Sequence, residues 1–455
     1  PSDQSETLDC HPLVREYFTE QLKNQNSAGY QSAHSRLYEY YKNLPETELP
    51  DTLEELEPLF ISVAHGCLAG LHQLALDEVY WPRIQREGEN YIIRKLGAFG
   101  TDLACVACFF DHTWDKPAEG LRDIWKAGVL NWAGFRLRGL GRLPEAVEPC
   151  MASVEMAKQQ KNWQEAAINA SNTSALYLTL GNLAQAEQFG EQSVTYADRS
   201  EDDLQRMGKR TTWADALFQS GEQEKTKDLF MAAEIIQQKR QPEFDILYAL
   251  QGFRFCSLLL DLGEMDKVIK RAERTLGWAK QGLSFLANAL DQLSLGKAYL
   301  LKTLKQNSAE FNQAEMYLNQ AVEGLRKAGG MDDLPRGLLA RATLYTQQNN
   351  HQKAWQDLDE VFESASYSQM LLHLTDYHFE ACRNIRQQLN AGSTDFVVIE
   401  HGQTVFSDDR EAMKKRFHHH LNEAEKLIEQ TGYHRRDQAL KELQNPDIEQ
   451  TVFIS

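Results

Sequence analysis

The chain has 455 residues, with 48 Lys and Arg against 66 Asp and Glu, and so a net charge of −18. Hydrophobic residues at 42% and charged residues at 25% exclude wholesale disorder. The acidic balance excludes a broad surface for nucleic acid or anionic membrane, since both need basic residues to displace counterions.

No apolar run approaches the ~18 residues of a membrane span, and no signal-peptide pattern is present. Seven scattered Cys suit reduced thiols rather than a disulfide framework, so the sequence predicts a cytoplasmic protein with no membrane partner. In chain order, residues 1–53 come first and contain Leu8-Asp9-Cys10-His11-Pro12-Leu13-Val14-Arg15-Glu16-Tyr17-Phe18, then Ala33-His34-Ser35-Arg36-Leu37-Tyr38. These phrases resemble the end of the winged-helix segment that follows the ATPase core in bacterial signal-transduction NTPases of the STAND class, of NACHT and NB-ARC type. The resemblance implies a sensor half whose NTPase module lies in cis, outside this chain. The start at Pro1 without Met fits a piece of a longer or processed protein. A Gly-x-x-x-x-Gly-Lys-Ser/Thr loop is absent, so neither ATP nor another cofactor is expected on this chain.

Residues 54–110 read as N-terminal helical repeats, with Gly70 and Ala75 at turn spacing. Cys105 and Cys108 have the spacing of half a zinc site, but they sit in an apolar run from Leu103 to Phe110 without a second ligand pair, and are read as helix core. Tyr80-Trp81 is read as packing between helices. Residues 111–119 form a polar, Pro-containing connector.

Residues 120–392 carry a ladder of turns. Gly141, Gly181, Gly221 and Gly263 follow one another at 40, 40 and 42 residues, and Asn349-Asn350-His351 begins 86 residues after Gly263, or two more periods. Each Gly is expected to end a helix in a left-handed conformation. Tyr177, Gly181 and Ala186, then Tyr345, Asn349 and Ala354, and the run Leu295-Gly296-Lys297-Ala298-Tyr299 resemble the tetratricopeptide repeat. Ala133 to Arg138, Gly208 to Thr212 and Leu334 to Arg341 are phrases of the same kind. The resemblance spans roughly residues 54–431. It implies an all-α fold, a tetratricopeptide-like solenoid of about eight helical hairpins wound as a right-handed superhelix.

Residues 393–407 break the helical period. Thr394 to Ser407 is β-branched and aromatic around His401-Gly402, and predicts a small β-hairpin inserted in the last helical pair, as a cap over its apolar end or as a contact surface. Residues 408–455 form a capping helix and tail. His418, His419 and His420 point about 100° apart on a helix and are read as a solvated face, and Gly432 to Asp437 as turn chemistry.

First helices of such repeats line the concave surface. Asn172 and Arg254 each lie nine residues before a ladder glycine and are equivalent positions. With Asn169, Lys209, Arg210 and Gln251, and extended by Arg336 and Arg341, they predict a ligand-binding strip inside an acidic protein. Charge-assisted donors on rigid helices suit a peptide backbone or carboxylate. The same side chains would otherwise tie neighbouring repeats together, since a shift of one residue changes where each points. The sequence therefore predicts a non-enzymatic sensor for a protein or peptide ligand. Two rival readings are a constitutive scaffold and an enzyme built from the hairpin with Cys or His residues.

Overall fold

Helix starts and stops are written locally along this chain. A computed structural model describes residues 11–279, 284–391 and 395–445, which divide into two units. The first unit comprises residues up to 92 together with 104–125. Its helices α1 (Pro12–Gln25), α2 (Ser27–Lys42) and α3 (Leu53–Leu68) open on side-chain caps. Asn26 accepts from Gly29 N–H at 2.9 Å, and Thr52 with Glu55 forms a reciprocal capping box. A π-helical stretch, Ala75–Ile84, follows. Tyr38 donates to Glu78 at 2.8 Å and receives Ser62 Oγ on its carbonyl at 2.9 Å. Arg83 holds the intervening loop by donating to the Lys42 and Glu48 carbonyls at 2.6 and 3.0 Å. The helix α4 (Phe99–Ala107) carries Cys105, which is buried as expected of helix core. The connector closes as a minimal hairpin, β1 (Phe110–His112) against β2 (Lys116–Pro117). Tyr80 is buried and Trp81 packs on Trp125 at 5.3 Å.

The second unit comprises residues 93–103 with 126 onward. Seven helical hairpins run through it among the described residues. Four of them are α5 (Asp123–Gly139) with α6 (Leu143–Gln159), α7 (Trp163–Leu180) with α8 (Leu183–Ser200), α9 (Asp203–Gln219) with α10 (Gln223–Arg240), and α11 (Ala249–Asp261) with α12 (Met265–Ala279). After these come α13 (Phe285–Lys305) with α14 (Asn312–Ala328), α15 (Leu334–Gln347) with α16 (His351–Ser368), and α17 (Leu371–Asn390) with α18 (Arg410–Thr431). A last helix, α19 (Asp437–Gln444), follows a tight turn at His434–Arg436. The ladder glycines have φ of 72° at Gly141, 78° at Gly181, 87° at Gly221 and 73° at Gly263, the left-handed conformation their spacing predicts. Caps restart the chain after the turns: Asn162, Asn182 and Asn350 accept from Glu165, Gln185 and Lys353 N–H. Small residues bring the paired helices together, so that Ser174 Oγ donates to the Ala186 carbonyl at 2.6 Å.

Between α17 and α18 stands the hairpin β3 (Phe396–Glu400) and β4 (Gln403–Ser407), with Glu400 opposite Gln403. Its two-residue turn has φ of 51° at His401 and 73° at Gly402. Phe396, Val398 and Ile399 enter a core with Trp355, Leu358, Ile385 and Met413. Gln388 locks the strand by accepting from Val397 N–H at 2.8 Å and donating to its carbonyl at 3.0 Å. The architecture is an all-α array of helical hairpins with a small β insertion.

One feature of this unit goes beyond a linear array. Turns of the early hairpins pack on the late ones. A Cβ at Gly141 would lie 2.5 Å from Ser368 Oγ, and one at Gly181 would lie 2.8 Å from Leu371 Cβ and 2.9 Å from Thr431 Cγ2. Met331 N–H donates to the Gly139 carbonyl at 2.8 Å, and Arg138 meets Asp332 at 3.0 Å. The second unit therefore closes on itself.

Candidate functional site

Closure of the second unit leaves a cavity of about 360 Å³ on the inner side of the odd-numbered helices. Helical periodicity decides which residues reach it. From α11 come Phe253, Arg254, Ser257, Leu260 and Asp261, a stripe at three- and four-residue steps. Helix α13 presents Lys297, Leu301, Leu304 and Lys305 in the same way. Asp215 and Gln219 come from α9, Arg336 and Leu339 from α15, and Leu372, His373 and Asp376 from α17. The turn after α18 supplies Tyr433 and Arg435. Roughly half of the wall is aliphatic or aromatic, and the polar groups are concentrated in charges.

Those charges are organised in pairs. Arg254 meets Asp215 at 3.0 Å and donates to Thr212 Oγ1 at 2.9 Å. Arg435 forks onto both Asp261 oxygens at 2.7 and 2.9 Å and reaches Gln219 at 3.1 Å. Asp376 accepts from Arg436 at 2.7 Å and from Tyr433 at 3.2 Å. Burial alone would raise the Asp261 and Asp376 carboxyls, but Arg435 and Arg436 beside them hold both below the usual range. Lys297 is the reverse case. Burial, reinforced by Arg435, Arg436 and Arg336, brings its ammonium down to about 7. Burial and the nearby Arg336 hold His373 at about 4, so its ring is neutral at physiological pH.

Of the eight strip residues, Arg254 and Arg336 line this cavity. Arg336 also contacts Asp333 at 3.4 Å and lies over the Phe253 ring. Asn172 donates to Asn131 Oδ1 at 2.9 Å, a tie between equivalent helices α7 and α5. Lys209 is half-buried, and burial, Arg254 and the opposing Glu165 and Asp202 leave it at about 8. Gln251 is half-buried, with Nε2 3.8 Å from a Cβ built on Gly208. Three residues of the strip are engaged by neighbouring helices. Asn169 is fully buried and donates to the Ser153 carbonyl at 3.1 Å, because its position on α7 faces α6. Arg210 turns to α8, where it meets Asp198 at 2.9 Å. Arg341 is held between α14 and α16 by Asn319 at 3.2 Å and by both Asp357 oxygens at 2.7 and 2.8 Å. The histidine run is also corrected in part: His418 and His419 are exposed, while His420 is buried with Nδ1 2.8 Å from His378 Nδ1.

Reasoning from sequence missed Lys297, His373, Asp261 and Arg435. Lys297 stood in view, directly after Leu295-Gly296 in the repeat pattern. Arg435 carried no local signal, since its partner Asp261 is 174 residues away. Cys105 and Cys108 belong to the first unit and do not line the cavity. Among the described residues no three His, Cys, Asp or Glu side chains converge on a metal-sized site, and no helix is long and apolar enough to cross a membrane.

No protein-family model matches the chain, and comparison with curated proteins finds no match. Solved structures do match. The Rap conjugation gene regulator of the plasmid pLS20, solved in complex with the Phr* peptide, is similar with a TM-score of 0.50 at 10% identity, over 89% of this chain and 97% of that one. A Rap protein complexed with Competence and Sporulation Factor matches with a TM-score of 0.35 at 13% identity, over 94% of each chain. The first similarity is one of fold.

Proposed function

We propose that this chain is a receptor that takes a peptide or protein segment into the inner cavity of its second unit. The observation that carries the reading is the wall itself. Six successive inner helices and the turn after α18 all contribute to it, so an occupant touches segments from Leu178 to Arg435 at once. Binding there would be linked to closure of the unit, because only the closed form brings those segments together. A regulator of similar fold was solved with the Phr* peptide, which supports a peptide as the ligand class. The finer reading is a sensor region within a larger bacterial signalling NTPase, cytoplasmic and non-catalytic, with the NTPase module in cis and defence against phage as one setting. Its support is the resemblance carried by His11-Pro12-Leu13-Val14-Arg15-Glu16.

A displayed random-peptide selection on this chain tests the reading, with Leu301→Trp as a variant that fills the cavity. Enriched peptides should bind the unaltered chain by fluorescence anisotropy and lose at least tenfold in affinity on Leu301→Trp, with helicity by circular dichroism unchanged. Peptides that bind both forms equally would sink it.

A further inference from the structure

The hairpin β3–β4 has two edges, and they are treated differently. Glu400 and Gln403 flank the two-residue turn and exchange hydrogen bonds, and from there the pattern alternates along the pair. Val398 with Val405 and Phe396 with Ser407 therefore bond to each other as well. Val397, Ile399, Thr404 and Phe406 turn their backbone N–H and C=O groups outward. On β3 the outward groups of Val397 are taken by the Gln388 side chain, at 2.8 and 3.0 Å, as this register requires. On β4 no hydrogen bond from a described residue reaches the backbone of Thr404 or Phe406. The Phe406 side chain is 68% exposed. Natural sheets guard such an edge with a charge, a proline or a bulge. The run His401 to Ser407 has no Lys, Arg, Asp, Glu or Pro, and it pairs with β3 without a bulge.

The sequence supplies a strand for that edge. Gln403-Thr404-Val405-Phe406-Ser407 recurs with a single Ile inserted, as Gln450-Thr451-Val452-Phe453-Ile454-Ser455, which lies outside the described residues. This second run is also uncharged and rich in the β-branched and aromatic side chains that suit a pleated surface. The chain leading to it is anchored beside the hairpin. Arg386 on α17 donates to the Glu442 carbonyl at 3.3 Å and to that of Leu443, and Gln388 on the same helix holds Val397. From Asn445 to Gln450 is five residues, which span up to ~17 Å when extended. Strands lie ~4.8 Å apart, so a third strand beyond β4 stands ~14 Å from the groups that cover β3, within that span. A chain entering from the Val397 end of the hairpin runs with β3 and against β4.

We infer that residues 450–455 pair with β4 as a third, antiparallel strand and close the open edge of the insertion. Thr404 and Phe406 exchange backbone bonds with Phe453 and Thr451. Val452 lies beside Val405, on the face where Val398 meets the core. Phe453 lies beside Thr404 and diagonal to Phe406, whose exposed ring it covers.

Hydrogen exchange of the full chain, read at single amides by mass spectrometry, tests the pairing at the Thr404 and Phe406 N–H groups. Both should exchange at least tenfold more slowly than in the Phe453→Asp chain. An acetylated peptide of residues 449–455, added in excess to that variant, should restore the protection. Thr404→Pro removes one donor on the open side and leaves the bonds to β3 in place. It should cut the protection at Phe406, and Phe453→Asp added to it should change little further. Helicity by circular dichroism should stay unchanged in both variants. Fast exchange at Thr404 and Phe406 in the full chain, or rates that Phe453→Asp leaves as they were, would overturn the pairing. Protection that rises with protein concentration would put the strand of a second copy on this edge and overturn pairing within one chain.

Discussion

The ring nitrogens of His378 and His420 approach to 2.8 Å, so one Nδ1–H donates to the other Nδ1, and the accepting ring must be neutral. Burial, with His419 beside it, holds His378 at about 4, and burial with His378, His419 and Arg416 nearby holds His420 at about 3. Both lie below the ordinary value of 6.5. The unfolded chain therefore takes up protons between pH 6.5 and 4 that the folded chain refuses. Stability is full above that window and falls as pH drops through it, by about 1.4 kcal/mol per unit for each ring. Urea midpoints measured from pH 7 to 4.5 should fall less steeply in His378→Leu/His420→Leu than in the unaltered chain. At this scale the sequence is least legible. His418 and His420 differ by two positions on α18, yet one is exposed and the other buried. Asn169 and Asn172 differ by three on α7, and one bonds to α6 while the other bonds to α5. Periodicity says that such a split exists, and only the neighbours say where it falls.

The turn between α18 and α19 illustrates what a short element does. Tyr433 is buried, Arg436 is buried on Asp376, and Arg435 reaches across to Asp261 on α11. Side chains of Arg435 and Asp261 are 13% and 21% exposed, so the pair is mostly shielded from water and its partners depend on each other. Arg435→Ala strands a carboxylate beside a half-empty site and should cost about 2–4 kcal/mol. Arg435→Met with Asp261→Leu replaces both charges by apolar groups and should recover most of that loss, as measured by chemical denaturation. Equal losses in the two variants would mean that the turn is held by something other than this pair. Helices α5 to α18 announced themselves through glycine spacing, asparagine caps and apolar stripes, all local signals. The hairpin β3–β4 did so too, through its β-branched run and His401-Gly402. The turn at 432–437 resembled ordinary punctuation, because nothing near it in sequence explains why two arginines should be there.

At the scale of the second unit, the ladder glycines fall into two kinds. Gly181 and Gly263 share a left-handed backbone, with φ of 78° and 73°. A Cβ at Gly263 would meet nothing within 4 Å, whereas one at Gly181 would press on Leu371 and Thr431. Gly263→Ala should therefore cost about 1 kcal/mol, the conformational penalty alone. Gly181→Ala should cost about 2–4 kcal/mol, because the closing contact must also give way. Denaturation of the two variants side by side checks this, and equal losses would refute closure as the cause. Spacing made both glycines visible as turns. It could not show that the curvature accumulated over successive hairpins returns the chain to its own early turns, since that depends on small rotations at every interface.

Such closure has a consequence for how this architecture can vary. An open array tolerates gain or loss of one unit, because each hairpin touches only its neighbours. Here Gly181 meets Leu371, and Arg435 meets Asp261, only when a set number of hairpins lies between them. Duplicating or deleting one would carry each contact out of register, so copy number is no longer a free variable in the history of this chain. Change is left to the loops and to the side chains that face the enclosed space.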